Sequence, residues 1–294
     1  EKAAGERIWA ELLEILRSPF SSRLVRLMDQ LEIMTVLFPE AKAMKGCAQN
    51  FFHHLDVWDH SLAVLESCEG LADRLEDYFG PAAAHVKDNI LAHNRLPLMK
   101  MAALFHDVAK PLTRNEDKDS GRITFYGHQR EGEKMADDIA GRLRMSRRDQ
   151  GFFSILIREH MHVLNLSSHA VRPATRLKWF RKLKDDCVPL IILGIADMEA
   201  TLGPASGEKG RENHIQWSRE SVKAYYGEIK QKLERRDLIG GKDLLGLGIP
   251  PGPEMGRILR KVREAQDGGE IKDREEALAL AGELTCVGDK GDQC

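Results

Sequence analysis

The residues best placed to do chemistry are His106 and Asp107, at the end of the apolar run Leu98-Met-Lys-Met-Ala-Ala-Leu-Phe-His-Asp-Val-Ala-Lys110. A helix of this composition belongs in a core, where an unpaired charge is costly or shifts its pKa until it is neutral. A divalent cation satisfies both groups at once, since neutral imidazole and carboxylate are ordinary ligands of first-row metals. One His-Asp pair says little by itself. Four further segments offer matching donors: His60 in Asp56-Val-Trp-Asp-His-Ser-Leu, His128 after Phe125-Tyr-Gly, His160 in Arg158-Glu-His-Met-His162, and Asp197 closing Val188-Pro-Leu-Ile-Ile-Leu-Gly-Ile-Ala-Asp.

Geometry limits how these can converge. Adjacent residues on a helix diverge by about 100°, so His106 and Asp107 reach one ion only where the helix ends, an ending expected at Pro111. His160 and His162 point about 200° apart, so one of them faces the cleft. Asp197 follows a stretch too apolar for a surface helix, and its charge needs a cation. His60 has a rival role as partner of Asp56 on the same helical face. Lys110 reads either as a point charge for a phosphate oxygen or as a helix-terminal lysine. His85, His93, His169 and His214 read as surface residues, and Trp58 and Trp179 as core.

The elements that must position these groups are helical nearly throughout. Apolar stripes recur at Ile8, Leu12, Leu13, Ile15 and Leu16, and again at Leu24, Leu27, Met28 and Leu31. Pro19 and Pro39 break the pattern. The expected organisation is a helical neck over 1–46 and a metal-binding core over 47–202. A linker with a charged helix over 203–240, a helical tail over 241–283 and a frayed end over 284–294 follow. The polar stretch from Asp117 to Thr124 has room for a short hairpin.

Composition excludes several classes. The 294 residues are 42% hydrophobic and 31% charged, with a net charge of −2, which neither requires nor forbids RNA. The longest apolar run is far short of the ~20 residues that span a bilayer, so no membrane partner is expected. The first residues lack the apolar centre of a signal peptide. Five scattered cysteines without a Cys-x-x-Cys spacing argue for a reducing cytoplasm and against a thiolate zinc site.

The order His, His-Asp, His, His, Asp, each on its own segment, resembles the HD-superfamily metal-dependent phosphohydrolases. Further runs are similar to the HD-containing half of bacterial tRNA nucleotidyltransferases, the CCA-adding enzyme and poly(A) polymerase family. These are His54, Asp56-Val-Trp-Asp-His60, Leu104-Phe-His-Asp-Val-Ala-Lys-Pro111, Phe125-Tyr-Gly-His128 and Arg158-Glu-His160, with the tail runs Leu244-Leu-Gly-Leu-Gly-Ile-Pro-Pro-Gly-Pro253 and Asp273-Arg-Glu-Glu-Ala277. The family's nucleotide-transfer centre, a Gly-Ser turn followed by Asp-x-Asp, has no counterpart. The sole Asp-x-Asp, Asp117-Lys-Asp119, lies in a polar loop, so this chain is not expected to add nucleotides by itself.

The resemblance implies an all-α HD bundle with a helical neck and an RNA-binding tail. It implies one or two divalent ions held by His60, His106, Asp107, His128, His160 and Asp197, with Asp107 bridging and catalytic beside Lys110. The histidine-rich set favours nickel, manganese or iron, with magnesium possible. His54 and Arg130 are candidates for substrate phosphate, and Arg257, Arg260, Lys261 and Arg263 for RNA phosphates. The expected reaction is hydrolysis of a phosphate ester of a nucleotide or a tRNA 3′ end. The alternatives are a non-catalytic tRNA-binding half and a phosphodiesterase for a signalling nucleotide. Composition sets no oligomeric state.

Overall fold

The computed structural model describes residues 2–50, 53–168, 171, 173–201 and 207–288, and among these the chain is all-α apart from one hairpin. Helices α1 (Lys2–Arg17), α2 (Ser21–Gln30), α3 (Ile33–Leu37) and α4 (Pro39–Met44) open the chain. Of the first expected stripe Leu12 and Leu16 are buried, joined by Trp9, which lies outside the stripe, whereas Leu24, Leu27 and Leu31 of the second stand exposed. Next come α5 (Val57–Asp73), α6 (Leu75–Phe79), α7 (Ala83–Leu91), α8 (Arg95–Phe105) and α9 (Lys110–Thr113). Strands β1 (Asn115–Glu116) and β2 (Ile123–Thr124) pair antiparallel, Asn115 opposite Thr124 and Glu116 opposite Ile123. Then follow α10 (His128–Arg142), α11 (Arg147–Ser168), α12 (Pro173–Leu183), α13 (Cys187–Ala200) and α14 (Glu208–Ala224).

The described residues form two compact units, one within 1–172 and 182–226 and the other within 173–181 and 227–294. In the first, α8 and α13 are apolar on every side and buried along most of their length, as expected of helices at a core's centre. Helix α5 packs on both, and α11 does the same. Gly194 of α13 permits a close approach of α11 and α14. A Cβ there would lie 2.9 Å from Val163 Cγ1 and 3.3 Å from His214 Nε2. Lys100, in the middle of α8, is 2% exposed and donates to the Ser18 carbonyl at 2.9 Å, tying the α1–α2 turn to the central helix.

Two expectations about organisation shift. The charged helix α14, read as part of a linker, instead packs on α11 and α13 through His214, Ser218, Ser221 and Val222. His214 is thus a core residue, 1% exposed, and not a surface one. Residues 173–181, read as part of the HD core, belong with the second unit. His169, residues 203–206 of the expected linker and the end of the chain over 289–294 lie outside the described residues.

The second unit adds α15 (Lys230–Glu234), α16 (Gly241–Gly246), α17 (Pro253–Gly268) and α18 (Arg274–Gly288). Its core gathers Ile239, Leu244, Ile249, Ile258, Val262, Ala265, Ile271, Ala277 and Ala281. Helix α18 runs through Gly288, past the expected start of fraying. No described helix is long and apolar enough to cross a membrane.

Candidate metal centre

Five elements of the first unit converge on one buried cluster. Asp56 caps α5 by accepting from the Asp59 amide at 2.8 Å and from the Gly46 amide at 2.7 Å. That occupies the supposed rival partner of His60. His60, on the first turn of α5 and fully buried, instead sets its Nε2 3.0 Å from Asp197 Oδ1. Helix α8 ends at Phe105, earlier than Pro111, which opens α9. Past Phe105 the ladder tightens, Val108 N to Phe105 O at 3.1 Å and Lys110 N to Asp107 O at 2.9 Å. Within this turn His106 and Asp107 meet, Nε2 to Oδ2 at 3.1 Å.

The six donors fall into two groups, His60 with His106 and Asp197, and Asp107 with His128 and His160, the ligand atoms in each lying within 4.8 Å of one another. Asp107 stands between them. Its Oδ2 faces His106 and Lys110, while its Oδ1 lies 3.4 Å from His128 Nε2 and 3.6 Å from His160 Nε2. His106 Nε2 lies 3.9 Å from Asp197 Oδ1 within the first group and 3.1 Å from Asp107 Oδ2 of the second, so the two groups are continuous. Gly127, at φ +83°, supplies the left-handed residue that turns the chain into α10 and sets His128 at its first position.

Three rings are aimed alike. Nδ1 of His106, His128 and His160 donates to the carbonyl three residues earlier, Ala103 at 2.9 Å, Phe125 at 2.8 Å and Ile157 at 2.6 Å. Such bonds fix the tautomer that leaves Nε2 as a lone pair. The consequence is an electrostatic conflict: His128 Nε2 and His160 Nε2 lie 3.1 Å apart. A proton on either ring would relieve it, but burial and the neighbouring histidines push His160 down to about 3, and burial likewise lowers His128. In addition, His60 Nδ1 and His106 Nε2 are buried with no partner aligned for a hydrogen bond. Divalent cations held at the two donor groups would offset the His128–His160 repulsion and give His106 Nε2 a partner, and the donor set fits them.

The carboxylates are ready to ligate. Burial opposes ionisation of Asp107, but His106 and Lys110 outweigh it and hold the carboxyl well below its usual range. For Asp197 burial is likewise overcome, by the His60 hydrogen bond and by His106. His106 moves the other way, since Asp107 more than offsets the burial that disfavours its charge.

Of the expected phosphate contacts, Lys110 is 6% exposed, with Nζ 2.6 Å from Asp107 Oδ2. It donates to Gln49 Oε1 at 2.6 Å and lies 5.3 Å from the centre of the Phe125 ring. Gln49 is held by the Leu55 and Asp56 carbonyls at 3.2 and 3.3 Å. Neither its role nor that of His53 was expected. It is His53, rather than the exposed His54, that stands edge-on to His60 with ring centres 4.6 Å apart. Burial, with Lys110 and His60, lowers His53 to about 3. Arg130 is exposed on the first turn of α10 and lines a groove with Arg158 and His162. Asp117 and Asp119 lie in the hairpin turn, where Asp117 Oδ1 accepts from the Ser120 amide at 2.8 Å.

The four basic residues expected to meet RNA do not share one fate. Arg260 and Lys261 are exposed on α17. Arg257 pairs with Glu254 and donates to the Leu284 carbonyl at 3.1 Å. Arg263 turns inward, a correction to its expected role. Its donors go to the Arg235 and Leu233 carbonyls at 2.8 and 3.1 Å, and its Nε lies 3.2 Å from the buried Asp267, which Arg181 also binds. Its (i, i+4) spacing to Asp267 was the available signal.

Comparison with known proteins agrees with this geometry. Residues 57–202 match the HD domain family model, and residues 1–45 match the model described as the probable RNA and SrmB-binding site of polymerase A. The A-adding tRNA nucleotidyltransferase of Deinococcus radiodurans is 33% identical over 94% of this chain and 58% of its own length. The CC-adding tRNA nucleotidyltransferase of Thermus thermophilus is 32% identical over 94% of this chain and 56% of its own length. The multifunctional CCA protein of Halorhodospira halophila is 25% identical over 88% of the chain and 54% of its own length. The chain thus spans little more than half the length of these curated relatives. With the ligand order, the bundle and these matches in agreement, the chain belongs to the HD-domain proteins of the tRNA nucleotidyltransferase-like kind.

Proposed function

We propose that this chain hydrolyses phosphate esters of nucleotides or of an RNA 3′ end, using one or two divalent ions held by His60, His106, Asp107, His128, His160 and Asp197. The observation that supports it most is Asp107, whose two oxygens face the two donor groups. A bound divalent ion would lower the pKa of water towards neutrality and offset phosphate charge. Asp107 orients the attacking water, its carboxylate held ionised by His106 and Lys110. Lys110, fixed between Asp107 and Gln49, offers its ammonium to a non-bridging phosphate oxygen. Nitrogen donors make up four of the six ligands, which favours nickel, manganese or iron over magnesium.

The names of the relatives favour a second reading, in which the chain holds tRNA for a nucleotidyltransferase centre outside these residues. Arg260 and Lys261 would then be its exposed phosphate contacts. The two are separated by stripping the protein with chelator, restoring manganese or nickel, and assaying a nucleoside 2′,3′-cyclic phosphate. Metal-dependent turnover is the expected result. Salt-sensitive tRNA binding without any turnover would select the second reading.

A further inference from the structure

Arg130 of α10, Arg158, Glu159, His162 and Asn165 of α11, and Lys182 near the end of α12 line one groove of about 350 Å³, all of them within the first unit. Arginine and lysine outnumber carboxylates three to one among the residues that line it. Arg158 and His162 each stand two residues from His160, and Arg130 stands two residues past His128. All three therefore turn about 200° away from those candidate ligands around their helices. The groove lies on the outer side of α10 and α11, apart from the metal centre.

One buried carboxylate gathers the cations. Glu159 is 3% exposed, and its Oε1 accepts from Lys182 Nζ at 2.5 Å and lies 3.6 Å from Arg158 Nε. Its Oε2 lies 3.4 Å from His162 Nδ1 and is buried with no hydrogen-bond partner. Glu133 takes up part of the positive charge, accepting from Arg158 at 2.7 and 3.0 Å. Lys182 keeps about half of its side chain exposed, and Arg130 is exposed and pairs with no described carboxylate. The first turn of α10, which carries Arg130, adds the positive end of a helix dipole.

This excess of positive charge suits an anion, and the form of the groove selects which. Sites for small ligands are mostly apolar and enclose most of the ligand surface. Here the lining is largely polar and the cations stand on an exposed rim. An extended phosphodiester fits such a groove, since a row of cations follows a single-stranded backbone without enclosing it. We infer that the groove binds backbone phosphates of single-stranded RNA at a site separate from the metal centre, with Arg130 and Lys182 as its principal contacts. The choice of RNA rests on the two readings above, both of which bring RNA to this chain. The anion site itself does not depend on turnover.

The test follows the anisotropy of a fluorescein-labelled 2′-O-methyl RNA dodecamer, whose backbone resists cleavage, as the full chain is added at several salt concentrations. Arg130→Gln with Lys182→Gln should weaken binding by roughly tenfold or more at about 0.1 M salt. It should also make log K against log salt shallower by about 1.4, the share of two single-strand phosphate contacts. Lys87→Gln with Lys223→Gln, an equal charge change at exposed positions outside the groove, should keep the parent's slope. Arg260 and Lys261 are present in every protein compared, so their contribution cancels. An unchanged slope in the groove variant, or an equal change in the matched pair, overturns the site. The loss should be the same in manganese-loaded and chelator-stripped protein. A loss seen only with manganese would put these cations in the path of the ester at the metal centre and overturn a separate site. Displacement of the RNA by micromolar adenosine 5′-monophosphate from the parent protein would assign the groove to a free nucleotide and overturn the RNA backbone as its ligand.

Discussion

His128 and His160 direct their Nε2 atoms at each other across 3.1 Å, while the Nδ1 of each is committed to a main-chain carbonyl. Two lone pairs at that distance repel, and burial disfavours the proton that would separate them. The fold thus carries an electrostatic cost that a bound cation would remove.

Metal should accordingly stabilise the protein. At a free ion concentration about 100-fold above Kd the gain is about 2.7 kcal/mol, which for a chain of this size raises Tm by about 4–5 °C. Calorimetry of chelator-stripped protein with and without manganese or nickel measures it. His160→Ala should melt with a much smaller metal response, and an equal response in that variant would exclude the His128–His160 pair as ligands.

Asp107 is the group common to both halves of the cluster, so its loss should be the most damaging. Asp107→Ala is expected to lower metal-dependent hydrolysis by roughly a thousandfold or more. Lys110→Met should act chiefly by raising KM, since the ammonium binds phosphate as a point charge. Activity surviving in purified Asp107→Ala protein would remove that residue from the mechanism.

His214 makes the protein acid-sensitive. Burial pushes its imidazole down to about 4 in the folded chain, against about 6.5 when unfolded. Between those values the unfolded chain takes up the proton and the folded one resists it. This stability is therefore complete above about pH 6.5 and lost as pH falls towards 4. Metal-free His214→Gln should show a shallower fall of stability over that window, by about one proton. Urea melts at several pH values read the slope, and parallel slopes would contradict the assignment.

The basic residues of α17 should separate by role. Arg260→Gln with Lys261→Gln should weaken tRNA binding and flatten its dependence on salt without altering the melt. Arg263→Gln should instead destabilise the second unit by about 1–3 kcal/mol, because Asp267 is left with Arg181 alone and the Arg235 and Leu233 carbonyls lose a charged donor. Filter binding and thermal melts of both variants decide the matter. A stable Arg263→Gln protein with impaired RNA binding would restore Arg263 to the RNA face.

The candidate ligands were legible because each is out of place: an aspartate after Val188-Pro-Leu-Ile-Ile-Leu-Gly-Ile-Ala, or a His-Asp pair closing a helix with almost no polar side, needs a partner. Gln49 and His53 lie before α5 in a stretch without periodicity, and nothing in their spacing sets them apart from Asn50 or His54. The buried face of α14 escaped notice for a related reason. Its inward residues, His214, Ser218 and Ser221, are polar and leave almost no apolar stripe to read. Arg263 shows the limit of a basic run, since which of its cations face water depends on carbonyls and a carboxylate supplied by folding.

The rings of His106, His128 and His160 are steered by the carbonyls of Ala103, Phe125 and Ile157. Every residue type carries a carbonyl, so exchanging the side chain at any of those three positions leaves the steering oxygen in place as long as α8, α11 and the turn before α10 keep their path. The outer layer of the centre is thereby written into the main chain itself. It can survive wide sequence drift around the ligands, and a search for conserved supporting side chains would pass over it.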